Sequence, residues 1–113
     1  MGVYRCDNNK PFILECVKLA EKRILDNNMD HEYAGIQGID SFIKKSLILA
    51  YGENNKLVKE NRIAGAQSIS GTGSLRLGFT FLRDWYPHKD VDVYMPDVTW
   101  PLHRNLATLS GFK

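Results

Sequence analysis

The sequence is short of cysteine, of long apolar runs and of any excess of one charge, and each shortage closes off a class of protein. Two cysteines in 113 residues are too few for a secreted disulfide scaffold. Cys6 sits in a polar turn and Cys16 on an apolar helical face, so both are read as reduced thiols. No CxxC and no His/Cys spacing of metal-ligand type occurs, so no metal site is expected. The longest apolar run, Leu47 to Tyr51, falls far below the roughly 20 residues of a membrane span. The start, MGVYRCDNNK, lacks the apolar stretch of a signal peptide. A cytoplasmic protein without a membrane partner is the expectation. Lys plus Arg number 15 against 13 Asp plus Glu, and the basic residues are spread along the chain, so no nucleic-acid surface is expected. Neither GxxxxGK[ST] nor GxGxxG is present, which excludes a nucleotide P-loop and a dinucleotide fingerprint. A nucleophile–base–acid set and a glycosidase-like carboxylate pair are missing too.

What remains is an ordinary globular composition, 43% hydrophobic and 25% charged. In residues 12–25, Ile13, Cys16, Val17, Ala20 and Ile24 recur at three- and four-residue spacings, which predicts an amphipathic helix. Pro11 suits its first turn, and Asn27-Asn28 its end. A polar loop leads to a second helix, roughly 41–51, with Asp40 as N-cap and Gly52 as stop. After a charged connector over 53–62, a weakly apolar run reads as a strand at 66–70. It enters the turn Ser70-Gly71-Thr72-Gly73, and a helix carrying Leu75, Phe79, Leu82 and Trp85 follows, ended by Pro87. Residues 91–95 read as another strand, and a last helix runs from about Pro101 to Ser110, closed by Gly111.

Strand, helix, strand is a βαβ crossover, and the class is α/β. Two parallel strands do not make a stable sheet, because each needs neighbours to satisfy its hydrogen bonds. The reading is therefore an incomplete mixed or parallel sheet flanked by helices, belonging to part of a larger domain.

The sharpest chemical feature is Ser70-Gly71-Thr72 between strand and helix. A helix N-terminus offers unpaired amides and the positive end of the dipole, glycine admits close approach, and the hydroxyls add donors, which together suit a phosphate. The same residues also suit a simple helix cap. Trp100 follows the second strand, where a ring could stack on a flat heterocycle or serve as a core or lid residue. His103, three residues on, is as consistent with a structural hydrogen bond as with catalysis. Tyr33, in the DHEY loop, suits packing or contact with a ligand.

The blocks GVYR at 2–5, DHEYAGIQGIDSF from Asp30, YGENN at 51–55, ENRIAGAQSISGTGSLRLG at 60–78 and VTWPLHRN at 98–105 together resemble the aspartate aminotransferases, class I, fold-type-I pyridoxal-phosphate enzymes. The resemblance covers nearly the whole chain and implies that 1–113 is part of the large domain, with 1–11 entering from the small domain. It implies that Ser70, Gly71 and Thr72 bind the phosphate of pyridoxal 5′-phosphate. By the same resemblance Trp100 stacks on the pyridine ring and His103 supports the aspartate paired with the pyridine nitrogen. Tyr33 reaches the phosphate of the neighbouring subunit's cofactor in a homodimer, and Gly2 lies beside the substrate α-carboxylate. Val98 departs from the proline common at that place in the family. The implied reaction moves the amino group of L-aspartate to 2-oxoglutarate, giving oxaloacetate and L-glutamate. The family's Schiff-base lysine and substrate arginines lie downstream of the matched region, so no catalytic residue is assigned in this chain. A non-catalytic phosphate-ligand module and a fragment acting through the dimer interface are the alternatives.

Overall fold

The structure, a computed structural model, describes residues 3–113. Contacts divide the chain into two compact units, Met1–Tyr33 and Ala34–Lys113. In the first, the chain folds back in a tight turn. The Cys6 amide donates to Lys10 O at 3.1 Å and the Asn9 amide to Cys6 O at 2.8 Å, with Asn9 in the left-handed region at φ 59°. A single antiparallel bridge joins Arg5 to Pro11, and Tyr4 meets Phe12 edge-on with ring centroids 5.7 Å apart. Pro11 thus belongs to this turn rather than to a helical first turn. Helix α1, Glu15–Asp26, starts three residues later than the apolar spacing suggests. Its end is the expected one, with Asn28 at φ 45°. Both cysteines are free, and the Cys6 thiol donates to Lys10 O at 3.2 Å.

The second unit holds α2, Asp40–Tyr51, a short α3, Lys56–Lys59, α4, Ser70–Trp85, and α5, Pro101–Leu109. Asp40 is not the N-cap of α2. Ile39 occupies that place in extended conformation without a side-chain cap, and Asp40 stands in the first turn, where its charge favours the helix dipole. Gly52 stops α2 at φ 86°. The charged connector contains a helix the apolar spacing missed. Asn55 starts α3 by accepting the Leu57 amide at 2.8 Å, a cap that needs no apolar stripe. Pro101 opens α5 as expected, and Gly111 closes the region at φ 88°.

The two strands expected at 66–70 and 91–95 are absent among the described residues, where Arg5 with Pro11 and Gly35 with Gly38 form the only β-bridges. The physical reason is the one that governs any parallel strand: its amides need partners on a neighbouring strand. Here a single such bond forms, from the Gln67 amide to Gln37 O at 2.8 Å.

The core of the second unit is small and lies where α4 meets α5. Leu106, Ala107 and Phe112 are buried, while Ile69, Trp85, Tyr94 and Val98 are among many large apolar side chains left exposed. The Phe79 and Phe112 rings lie 6.0 Å apart, the Arg83 guanidinium lies 5.9 Å over the Phe112 ring, and Arg76 donates to Ser110 Oγ at 3.2 Å. These contacts tie the end of α5 to the body of α4.

The 35–39 turn is held from the other side. The Ile39 amide donates to Gln67 Oε1 at 3.1 Å, and Gly38 has φ 99°, with no space for a Cβ against Gln67. Gly38→Ala is therefore expected to open this junction at a cost of about 1–3 kcal/mol. Amide hydrogen exchange at Ile39 and Gln67 should accelerate while α4 stays protected, and unchanged exchange at both amides would contradict the clamp.

Candidate functional site

The 16-residue helix α4 starts abruptly. Ile69 is extended at φ −82° and ψ 97°, and the next residue, Ser70, adopts φ 52°, a region uncommon for side chains other than Asn, Asp or Gly. The Ser-Gly-Thr-Gly segment, expected as a turn before the helix, is the helix's own first turn. The Gly73 amide is the first to bond back, to Ile69 O at 3.0 Å. No side chain caps the helix, and among the described residues the Gly71 and Thr72 amides have no protein acceptor. Successive amides after a left-handed residue form an anion-binding concavity, and the dipole of α4 adds positive potential behind them. The first turn carries no acidic side chain to oppose an anion. A Cβ at Gly71 would meet nothing within 4 Å, so the face next to these amides is open to a ligand. The residues present thus fit a phosphate ester.

Two neighbours frame this joint. Ser68 Oγ and Ser74 Oγ are 2.6 Å apart, and the Ser74 hydroxyl donates to Ser70 O at 2.9 Å. Neither serine stood out in the sequence. The available signal was the four-residue spacing from Ser70 to Ser74, which lets a helical serine reach back to a carbonyl.

At the start of α5, Trp100 is the N-cap, at φ −61° and ψ 125°. Its ring is mostly exposed, so it is not a core residue among the described residues, and its carbonyl accepts the His103 amide at 2.9 Å. His103 is half-buried, and its Nδ1 lies 2.7 Å from Thr99 Oγ1. Thr99 is a third residue that sequence reasoning passed over, although it stands four positions before His103 and one before Trp100. The Ser70–Thr72 turn and the Thr99–His103 turn belong to the same unit, on helices that pack together. Tyr33 closes the first unit and is fully exposed. Gly2 lies outside the described residues. No group of His, Cys, Asp and Glu suited to a metal ion occurs among the described residues.

Thr99 fixes one nitrogen of His103 by hydrogen bonding, which leaves Nε2 for another partner. Thr99→Val keeps the shape and removes the hydroxyl, at a cost on the order of 1 kcal/mol. The nitrogen-15 shift of His103 Nδ1 should then move, because that nitrogen loses its hydrogen-bond partner. Identical shifts in both proteins would show that Thr99 does not orient the ring.

Comparison with known proteins shows the family of the chain. The family described as aminotransferase class I and II matches residues 1–113. The chain is 47% identical over 111 residues to a mitochondrial aspartate aminotransferase of Dictyostelium discoideum, covering 98% of this chain and 26% of that protein. The solved cytoplasmic aspartate aminotransferase of Saccharomyces cerevisiae matches with a TM-score of 0.86 and 36% identity, over 100% of this chain and 27% of that one. An aromatic-amino-acid aminotransferase from Burkholderia pseudomallei, covalently bound to pyridoxal phosphate, matches with a TM-score of 0.87 and 32% identity, over 100% and 28%. The chain thus spans about a quarter of the length of these relatives.

Proposed function

This chain belongs to the class I and II aminotransferases, and on that footing we propose that it supplies the phosphate-holding and ring-stacking part of an aspartate aminotransferase. The observation that carries the reading is the uncapped start of α4, with left-handed Ser70 and the free amides of Gly71 and Thr72. Ser70, Gly71 and Thr72 hold the phosphate of pyridoxal 5′-phosphate through those amides and the two hydroxyls. Trp100 covers one face of the pyridine ring, for which its exposure leaves it free. His103, oriented by Thr99, supports the acid that pairs with the ring nitrogen. Tyr33 reaches the phosphate held by a second subunit of a homodimer, Gly2 stands beside the substrate carboxylate, and residues 1–11 lead in from the small domain.

When bound, the cofactor supplies the electron sink that makes the Cα–H of an amino acid removable. The chain's own residues bind, orient and polarise. They provide neither the lysine that carries the cofactor nor the arginines that grip the substrate carboxylates. The whole enzyme transfers the amino group of L-aspartate to 2-oxoglutarate, giving oxaloacetate and L-glutamate. Relatives with aspartate in their names support that substrate choice.

The test is a titration of the purified chain with pyridoxal 5′-phosphate, followed by phosphorus-31 and amide NMR. The Gly71 and Thr72 amides should shift, and Gly71→Asp, which places a carboxylate in the open face, should weaken binding at least about tenfold with helix content unchanged. A wild-type chain whose Gly71 and Thr72 amides ignore saturating cofactor sinks the reading. The chain alone should form no oxaloacetate from aspartate and 2-oxoglutarate, and measurable turnover would overturn the absence of a catalytic residue.

A further inference from the structure

We infer that Ser74, with Ser68 behind it, is a positioning residue that locks the phosphate cradle in its binding conformation; the inference rests on the reading of residues 70–72 given above. The cradle depends on Ser70 holding φ 52° between an extended residue and a helix, a conformation that L side chains adopt at a cost. Something must hold it. No cap bond does so, because Ile69 has no polar side chain and none caps α4.

The hydroxyl relay does. Ser74 donates its proton to Ser70 O at 2.9 Å, so its oxygen is left as the acceptor for the Ser68 hydroxyl at 2.6 Å. The relay therefore runs in one direction, from Ser68 through Ser74 to the Ser70 carbonyl, and such chains strengthen each member. It spans the joint from the residue two before Ser70 to the residue four after it. Both serines also border an open hollow of about 450 Å³ whose walls include Ala64, Leu77 and Phe81, and the two hydrogen bonds themselves are exposed.

A serine that merely sat in the helix would differ from a positioning serine in leaving anion binding unchanged on substitution. Ala has the higher helix propensity, so Ser74→Ala should leave the thermal midpoint unchanged or raise it. Loss of the bond to the Ser70 carbonyl should at the same time weaken anion binding by about fivefold. Ser74→Thr keeps a hydroxyl at the same place and should restore most of the affinity. Ser68→Ala leaves the bond to Ser70 O in place and should cost about twofold.

The experiment titrates the whole 113-residue chain and its three variants with inorganic phosphate and with pyridoxal 5′-phosphate, reading the Gly71 and Thr72 amides. It also measures amide exchange at Gly73, whose amide bonds to Ile69 O, against Leu82 as an internal control. Weaker binding in Ser74→Ala, recovery in Ser74→Thr, and faster exchange at Gly73 alone support the inference. Equal affinity in Ser74→Ala overturns it, and so does equal weakening by Ala and Thr, which points to volume rather than the hydroxyl. A wild-type chain that ignores both probes removes the cradle reading itself, and Gly73 exchange unchanged by Ser74→Ala then removes the positioning role as well.

Discussion

One backbone joint, between Ile69 and Ser70, carries the anion site proposed for this chain. There the chain passes from extended to helical conformation within a single residue, and a left-handed serine makes the change. Left-handed backbone costs a residue with a Cβ roughly 1–2 kcal/mol. In its place the joint leaves two helix amides without acceptors and a helix dipole directed toward them. A more gradual entry with a side-chain cap would satisfy those amides internally and close the site. The strain and the proposed binding capacity are the same feature seen from two sides.

The joint holds its orientation only because α4 is itself fixed. The contacts of Phe112 with Phe79 and Arg83, and of Ser110 with Arg76, join the end of α5 to α4, so the turn bearing Trp100 and His103 is anchored to the helix that bears the cradle. Burial contributes little elsewhere. With three buried hydrophobic residues in the described chain, local hydrogen bonds set much of the site geometry: Ser74 to Ser70, His103 with Thr99, and Ile39 to Gln67. Each such bond contributes on the order of 1 kcal/mol, and each acts over one or two turns of chain or across one close approach.

The helices were legible because their signal is local. Apolar spacing located α1, α2, α4 and α5 within a few residues, and Gly52, Pro87 and Gly111 marked boundaries through their own backbone limits. The misreadings follow from forces that spacing does not report. Asp40 has the chemistry of a cap but stands one residue inside the helix, where it meets the dipole. Helix α3 rests on one Asn55 side-chain bond. The Ser-Gly-Thr-Gly stretch looked like a turn because its glycines disfavour helix, whereas it is the first turn of α4. The strands at 66–70 and 91–95 were read from residue type, yet a strand exists only with a partner, and Gln67 has a single bond to Gln37.

The candidate site divides along the same line. Ser70, Gly71 and Thr72 were readable from chemistry, since glycine and hydroxyls at a helix start suit a phosphate whatever the family. Trp100 and His103 were ambiguous as isolated residues, and the roles proposed for them rest on the family resemblance. The structure adds the reason His103 can be held in one orientation, a threonine one turn earlier whose hydroxyl meets its ring. Thr99 and Ser74 share a design: each is a small hydroxyl four residues from the group it holds. That spacing is too common to identify a residue from sequence, because only the conformation of the intervening turn decides whether the hydroxyl faces its target. Sequence chemistry can therefore nominate the groups that touch a ligand, while the groups that orient them become visible only with the backbone in place.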